Sequence, residues 1–224
     1  MNLRHRVAAA TAAAALAASG LALAGTAGPA NAAPTAATAK AATGTTSLAA
    51  VLTKGGVGFD KNWNDYDIVT AAVLAVLKAK PSSKVAVLTK GNVAVTAFIP
   101  NDRAFQLLVK SLTGKTLVRE RDVFAAVAKL GIPTVEAVLL YHVVPGATIT
   151  SAQALKANGA NLKTALGSTI HVAVYRGPVI SLWDKDRNSR NPRVILSQVD
   201  INKGNKQIAH GIDRVLLPLN ITPA

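Results

Sequence analysis

Val138-Leu139-Leu140-Tyr141-His142-Val143-Val144-Pro145-Gly146 is the densest apolar run in the second half of the chain, with a phenol and an imidazole at its centre. Upstream of it the apolar residues recur mostly with helical spacing; downstream they mostly alternate as in strands. Pro145-Gly146 closes the run with a turn, because Pro fixes one φ and Gly tolerates a positive one. The run reads as a hinge between a helical half and a β half that share one core, an α+β arrangement.

On the helical side, Ile68, Val69, Ala72, Val73, Val76 and Leu77 predict a helix to about Ala79, capped by Asp65 or Asp67 and stopped by Pro81. Gly91-Asn92 then turns the chain into Val93–Ile99, apolar on both faces and hence a central strand. Asn101 or Asp102 caps the next helix, whose Ala104, Phe105, Leu108 and Leu112 face the core. A further helix spans about Glu120 to Leu130 and closes on Gly131, and Pro133-Thr134 starts the short helix that feeds the central run. On the β side, Thr150 or Ser151 caps a short helix. Strands are expected over Asn161–Leu166, Ser168–Tyr175, Val179–Asp184, Arg193–Ile201 and Gln207–Leu217, with a polar loop from Asp184 to Pro192.

With 224 residues, half of them hydrophobic, the chain can bury a full-sized core. It has no cysteine, so disulfides and thiolate metal sites are excluded. Arg4 and Arg6, an Ala/Leu-rich run and Ala30-Asn31-Ala32 form a signal-peptide pattern over 1–32, with cleavage expected after Ala32. Losing those two arginines and no acid takes the net charge from +14 to +12. Residues 33–46 are Ala/Thr-rich without a large apolar side chain and read as a flexible tether; one domain is expected over 47–220. No second apolar span follows, so no stable membrane insertion is expected after cleavage. The Ala-rich composition and leader type point to a bacterial secreted protein, extracellular or at the cell surface.

Three blocks in order resemble the fasciclin (FAS1) family of secreted and surface adhesion domains. Thr96-Ala97-Phe98-Ile99-Pro100-Asn101-Asp102-Arg103-Ala104-Phe105 is similar to the family's first block, and Leu139–Gly146 to its tyrosine–histidine block. Ile208-Ala209-His210-Gly211-Ile212-Asp213-Arg214-Val215-Leu216-Leu217-Pro218 is similar to its closing block. Two turns depart from the pattern: Lys206-Gln207 stands where Asn-Gly is usual, and the Asp184–Pro192 loop is longer and more charged. The resemblance implies an α+β fold, a wedge-shaped β-sandwich with helices packed at one end. It also implies a non-enzymatic adhesion or binding domain, the alternative being a carrier of a carotenoid or another apolar lipid.

Tyr141 and His142 are the family block's candidate binding residues, a block linked to integrin binding in related animal matrix proteins. The structural reading is that Tyr141 buries its ring while His142 bonds a backbone carbonyl or an Asp side chain. His210, Asp213 and Asn101 read as structural polar residues. No metal site is expected, since no H-x-x-x-H pair or His-rich tract is present and Asp184-x-Asp186-x-Asn188 lacks the Gly and Glu of a calcium loop. No cofactor is implied. Gly114-Lys115-Thr116 has Val109 where a phosphate loop needs Gly, and no G-x-S-x-G elbow occurs, so catalytic motifs are missing. Lysines and arginines around 110–121 and 185–193 favour an anionic cell-envelope or matrix partner. With only 4% aromatic residues, nucleic acid is not expected.

Overall fold

The computed structural model describes residues 44–56 and 58–220. The expected leader and the tether up to residue 43 lie outside the described residues. Residues 44–46 dock on the turn at 202–206: the Gly44 N–H donates to Gly204 O at 3.0 Å, and the Thr46 N–H to Asn205 Oδ1 at 2.9 Å.

The central strand β1 (Val95–Pro100) is buried along its whole length. It pairs antiparallel with β2 (Val143–Pro145) and parallel with β6 (Gln207–Ile212), bringing Phe98 opposite His210. A second sheet is the antiparallel meander of β3 (Asn161–Lys163), β4 (Thr169–Tyr175) and β5 (Val179–Trp183). Neither sheet closes into a barrel. Successive side chains of a strand point to opposite faces, so β1 serves two cores. Val95, Ala97 and Ile99 enter a helical core, whereas Phe98 enters a core between the sheets with Tyr141, Val144, Ile170, Leu182 and Leu216.

The helical layer consists of a short α1 (Leu48–Leu52) and four longer helices: α2 (Asp67–Ala79), α3 (Asp102–Thr113), α4 (Glu120–Ala128) and α5 (Ile132–Tyr141). A single turn, α6 (Ser151–Ala154), follows on the β side and is closed by a capping box from Thr150 and Gln153. Asn101 caps α3 as its sequence position predicts, accepting from the Ala104 N–H at 3.0 Å. The start of α2 is different. Tyr66 occupies the cap position without a side-chain capping bond, and Asp102 Oδ1 accepts the Ile68 N–H at 2.9 Å from across the fold. Neither Asp65 nor Asp67 performs that role.

The central run divides at His142: Val138–Tyr141 form the last turn of α5, and Val143–Pro145 form β2. Gly146 then takes φ +82°, which a side chain would strain.

Three expected strands are shorter than their patterns. Asn161–Leu166 pairs only over Asn161–Lys163, before the turn at 164–167. Arg193–Ile201 makes only isolated bridges around a 3₁₀ turn at Leu196–Gln198. Asp200 and Asn202 beyond it adopt left-handed backbone, which short polar side chains tolerate and a strand does not. The last strand ends at Ile212, although Val215, Leu216 and Leu217 remain buried. Their backbone finds side chains instead of a ladder: the Leu216 N–H donates to His142 Nε2 at 3.0 Å and the Leu217 N–H to Asp184 Oδ2 at 2.8 Å.

Candidate functional site

Tyr141 and His142 sit together in sequence but look into different cores. Tyr141 is 0% exposed, and its hydroxyl donates to Thr169 O at 3.0 Å, tying α5 to the second sheet. Burial, with a smaller push from the Asp184 charge, raises its pKa to about 12. His142 is 4% exposed; its Nδ1 bonds Val138 O at 2.7 Å while Nε2 receives the Leu216 N–H. That pattern defines the neutral ring with its proton on Nδ1. Burial holds its pKa down at about 4, against a weaker opposing effect from the Val138 bond. The pair the sequence offers as candidate binding residues is therefore internal, with its polar atoms used by the fold, and presents no contact surface.

His210, also buried, bonds Ile149 O through Nε2 at 2.8 Å and receives the Asp200 N–H on Nδ1 at 3.3 Å. Asp213 makes separate bonds, accepting from the Arg193 N–H at 2.7 Å and from Arg190 Nη2 at 2.5 Å. His210 thus pins the end of β6 to two loops, and Asp213 anchors the long polar loop. Within that loop Asp184 Oδ1 accepts the Asp186 N–H, and Asp186 Oδ1 the Asn188 N–H, each at 3.0 Å. Burial, the largest influence on it, raises the Asp184 pKa to about 6.

The open surface with the clearest shape lies elsewhere. A groove of about 710 Å³ runs between the segment 82–93 and the turn at 163–167. It shares Ser82, Ser83, Lys84 and Ala165 with a second depression of about 430 Å³ beside α5. Ser83 begins the 3₁₀ helix Lys84–Thr89, and its hydroxyl accepts the Val85 N–H at 3.2 Å. Lys84, Lys90 and Lys163 line the groove, and all three are exposed. Glu136, the acid at the adjoining depression, is already engaged: Lys80 pairs with it, and Ser83 Oγ donates to its Oε1 at 2.6 Å. Those bonds, Lys80 first, hold the Glu136 carboxyl below its ordinary pKa. The described ion pairs leave Lys84, Lys90 and Lys163 uncompensated.

In each of the two basic clusters evident in the sequence, one arginine is ion-paired. Arg119 pairs with Asp122 at 2.7 Å, and Arg190 with Asp213. The groove escapes a linear reading because its cations come from separated segments. Their one local signal is the Ser82-Ser83-Lys84 cap before an apolar run.

Residues 70–218 match the Fasciclin domain family. Among solved structures, the chain is similar to a fasciclin domain pair from the insect cell adhesion molecule fasciclin I. The TM-score is 0.52 and the identity 18%, over 78% of this chain and 51% of that one. The chain therefore spans about half the length of that structure, and the likeness is one of fold. No curated protein matches the chain.

Proposed function

The chain belongs to the fasciclin domain family, and on that premise we propose that it is a secreted, non-enzymatic adhesion domain whose basic groove holds an anionic polymer of the cell envelope or matrix. Fasciclin domains are in general adhesion or binding domains, typically extracellular or at the cell surface. The observation that carries the proposal is the trio Lys84, Lys90 and Lys163 around an open groove with no acid in its lining, Glu136 of the adjoining depression being paired with Lys80. Three ammonium groups on solvated stems suit a flexible chain of negative charge: each acts as a point charge without demanding a fixed geometry. With a net charge of +12 behind them once the leader is removed, they also raise the encounter rate with any such chain.

The carrier alternative draws no support from the core. The apolar space beside His142, lined by Phe105, Leu108, Leu139 and Leu217 among others, measures about 20 Å³. That is room for about one water, which needs roughly 10–15 Å³ on this measure, and gives a carotenoid or lipid no berth.

The test measures binding to dextran sulfate, with uncharged dextran as control, from about 50 to 500 mM salt. Binding to the sulfated polymer alone, fading with salt and weakened about tenfold or more in Lys84→Glu/Lys163→Glu, is the expected result. Equal binding by the charge-reversed variant would remove the groove from the proposal. Equal binding to uncharged dextran would remove the electrostatic mechanism.

A further inference from the structure

In a chain with 25 Lys and Arg against 11 acids, five of those acids collect in one place: Asp60, Asp65, Asp67, Asp102 and Glu120. Asp65, Asp102 and Glu120 form the inner group, where one carboxylate oxygen from each lies within 4.8 Å of the others. Asp102 is 0% and Glu120 1% exposed, and Asp65 is partly buried. Two of this group's six oxygens have a visible structural use: Asp102 Oδ1 caps α2, and Glu120 Oε2 accepts the Asp60 N–H at 2.7 Å. Three others have none. Asp65 Oδ1, Asp102 Oδ2 and Glu120 Oε1 are all buried without a hydrogen-bond partner.

Two ordinary explanations fall short of these three oxygens. The first is ion pairing. None of the four ion pairs among the described residues involves the group; Arg119 and Arg121, which flank Glu120, are exposed, and Arg119 pairs with Asp122. The second is compensation by helix dipoles. Asp67, Asp102 and Glu120 are the first residues of α2, α3 and α4, and each helix start carries roughly half a positive charge. Three such starts offset about half of three carboxylates. The dipoles supply no hydrogen-bond donor to the three buried oxygens, which remain without a partner.

We propose that Asp65, Asp102 and Glu120 form a binding site for a hard divalent cation, calcium in preference to magnesium. The donors are all carboxylate oxygens, which excludes the softer thiolate- and imidazole-seeking metals. They come from the segment before α2 and from the first residues of α3 and α4, so their spacing is set by helix packing and not by one loop. Calcium accepts such irregular sets of oxygens, whereas magnesium demands a near-ideal octahedron and keeps most of its waters. A depression of about 450 Å³ borders the group at Glu120; Phe59, Asp60 and Trp63 line it together with the cations Lys61, Arg119 and Arg121. The site is independent of the lysine groove, and either can fail without the other.

The experiment uses chelator-treated protein, followed by thermal unfolding and by terbium luminescence excited through Trp63, which lines the same depression. Calcium at about 10 mM raises the midpoint by roughly 4 °C, and magnesium raises it less. Terbium emission appears and is displaced by calcium. Glu120→Gln keeps an acceptor for the Asp60 N–H, and Asp65→Asn changes a group with a free buried oxygen. Each weakens calcium by about tenfold or more while the chelator-treated midpoint changes little. Two results overturn the proposal: no calcium shift in the native chain, which leaves shared carboxyl protons as the account of the three oxygens, or an undiminished shift in both variants. If one variant does not fold, the other decides.

Discussion

Lys84, Lys90 and Lys163 stand in solvent around an open groove, whereas Asp65, Asp102 and Glu120 gather where three helices begin. A unit of charge does different work in the two places. Around the groove, water and salt screen each ammonium, so it costs the fold little and contributes reach toward a partner. In the acidic cluster the low dielectric ties each charge to the packing around it, and an unmatched oxygen is a cost the folded state carries. Binding and stability should therefore separate along exposure, and substitutions on the two sides test that separation.

The largest effect belongs to a buried residue that carries no charge. Tyr141→Ala removes a fully buried ring from the core between the sheets together with its bond to Thr169 O. A loss of about 3–5 kcal/mol is expected, measured by urea unfolding. Tyr141→Phe keeps the ring and should cost only about 1–2 kcal/mol. A near-neutral Tyr141→Ala would mean the inter-sheet core is not cooperative with the rest.

Next is the pH dependence carried by His142. Its folded pKa of about 4 lies below the ordinary 6.5, so the unfolded chain takes up a proton first. Its contribution is complete above about pH 6.5 and is lost as pH falls toward 4, by on the order of 3 kcal/mol. Asp184 acts with the opposite sign: a carboxyl raised to about 6 is relieved by acid. Comparing wild type with His142→Gln cancels the Asp184 contribution. The variant should be less stable at pH 7, and its stability should fall less between pH 6.5 and 4. Parallel pH profiles would place the acid sensitivity elsewhere.

A smaller effect comes from Asn101, whose cap on α3 is short-range in sequence and buried in the structure. Asn101→Ala should cost about 1 kcal/mol, and Asn101→Asp should recover most of it. If Asn101→Ala costs nothing, the two bonds of Asp102 and Asn101 at this junction are redundant.

What the sequence makes legible follows the same division between local and distant contacts. The β1 strand, the α3 cap from the Asn101-Asp102 pair and the turn at Gly146 depend on residues within a few positions of one another, and each lies where the pattern puts it. The groove and the acidic cluster do not. Lys163 meets Lys84 and Lys90, and Asp65 meets Asp102 and Glu120, only because α2, α3, α4 and the second sheet pack as they do. Arg193–Ile201 misleads for a related reason. Its apolar residues suggest a strand, but the 3₁₀ turn at Leu196–Gln198 and the left-handed backbone at Asp200 and Asn202 leave only isolated bridges. The cap of α2 by Asp102 is likewise invisible locally, since two nearer aspartates offer themselves first.

The smallest stability effect is the most informative about function. Lys84→Gln and Lys163→Gln remove groove charges without reversing them, and neither lysine is joined to an acid by a described ion pair. Each should leave unfolding free energy within about 0.5 kcal/mol of wild type, while the double variant binds dextran sulfate more weakly and with a shallower salt dependence. Lys80→Gln is the matched control. Its ammonium is occupied by Glu136, so its removal frees an acid beside the groove and should weaken polymer binding through new repulsion. If Lys80→Gln instead leaves binding untouched while Lys84→Gln weakens it, attraction is confined to the lysines lining the groove and the adjoining depression takes no part.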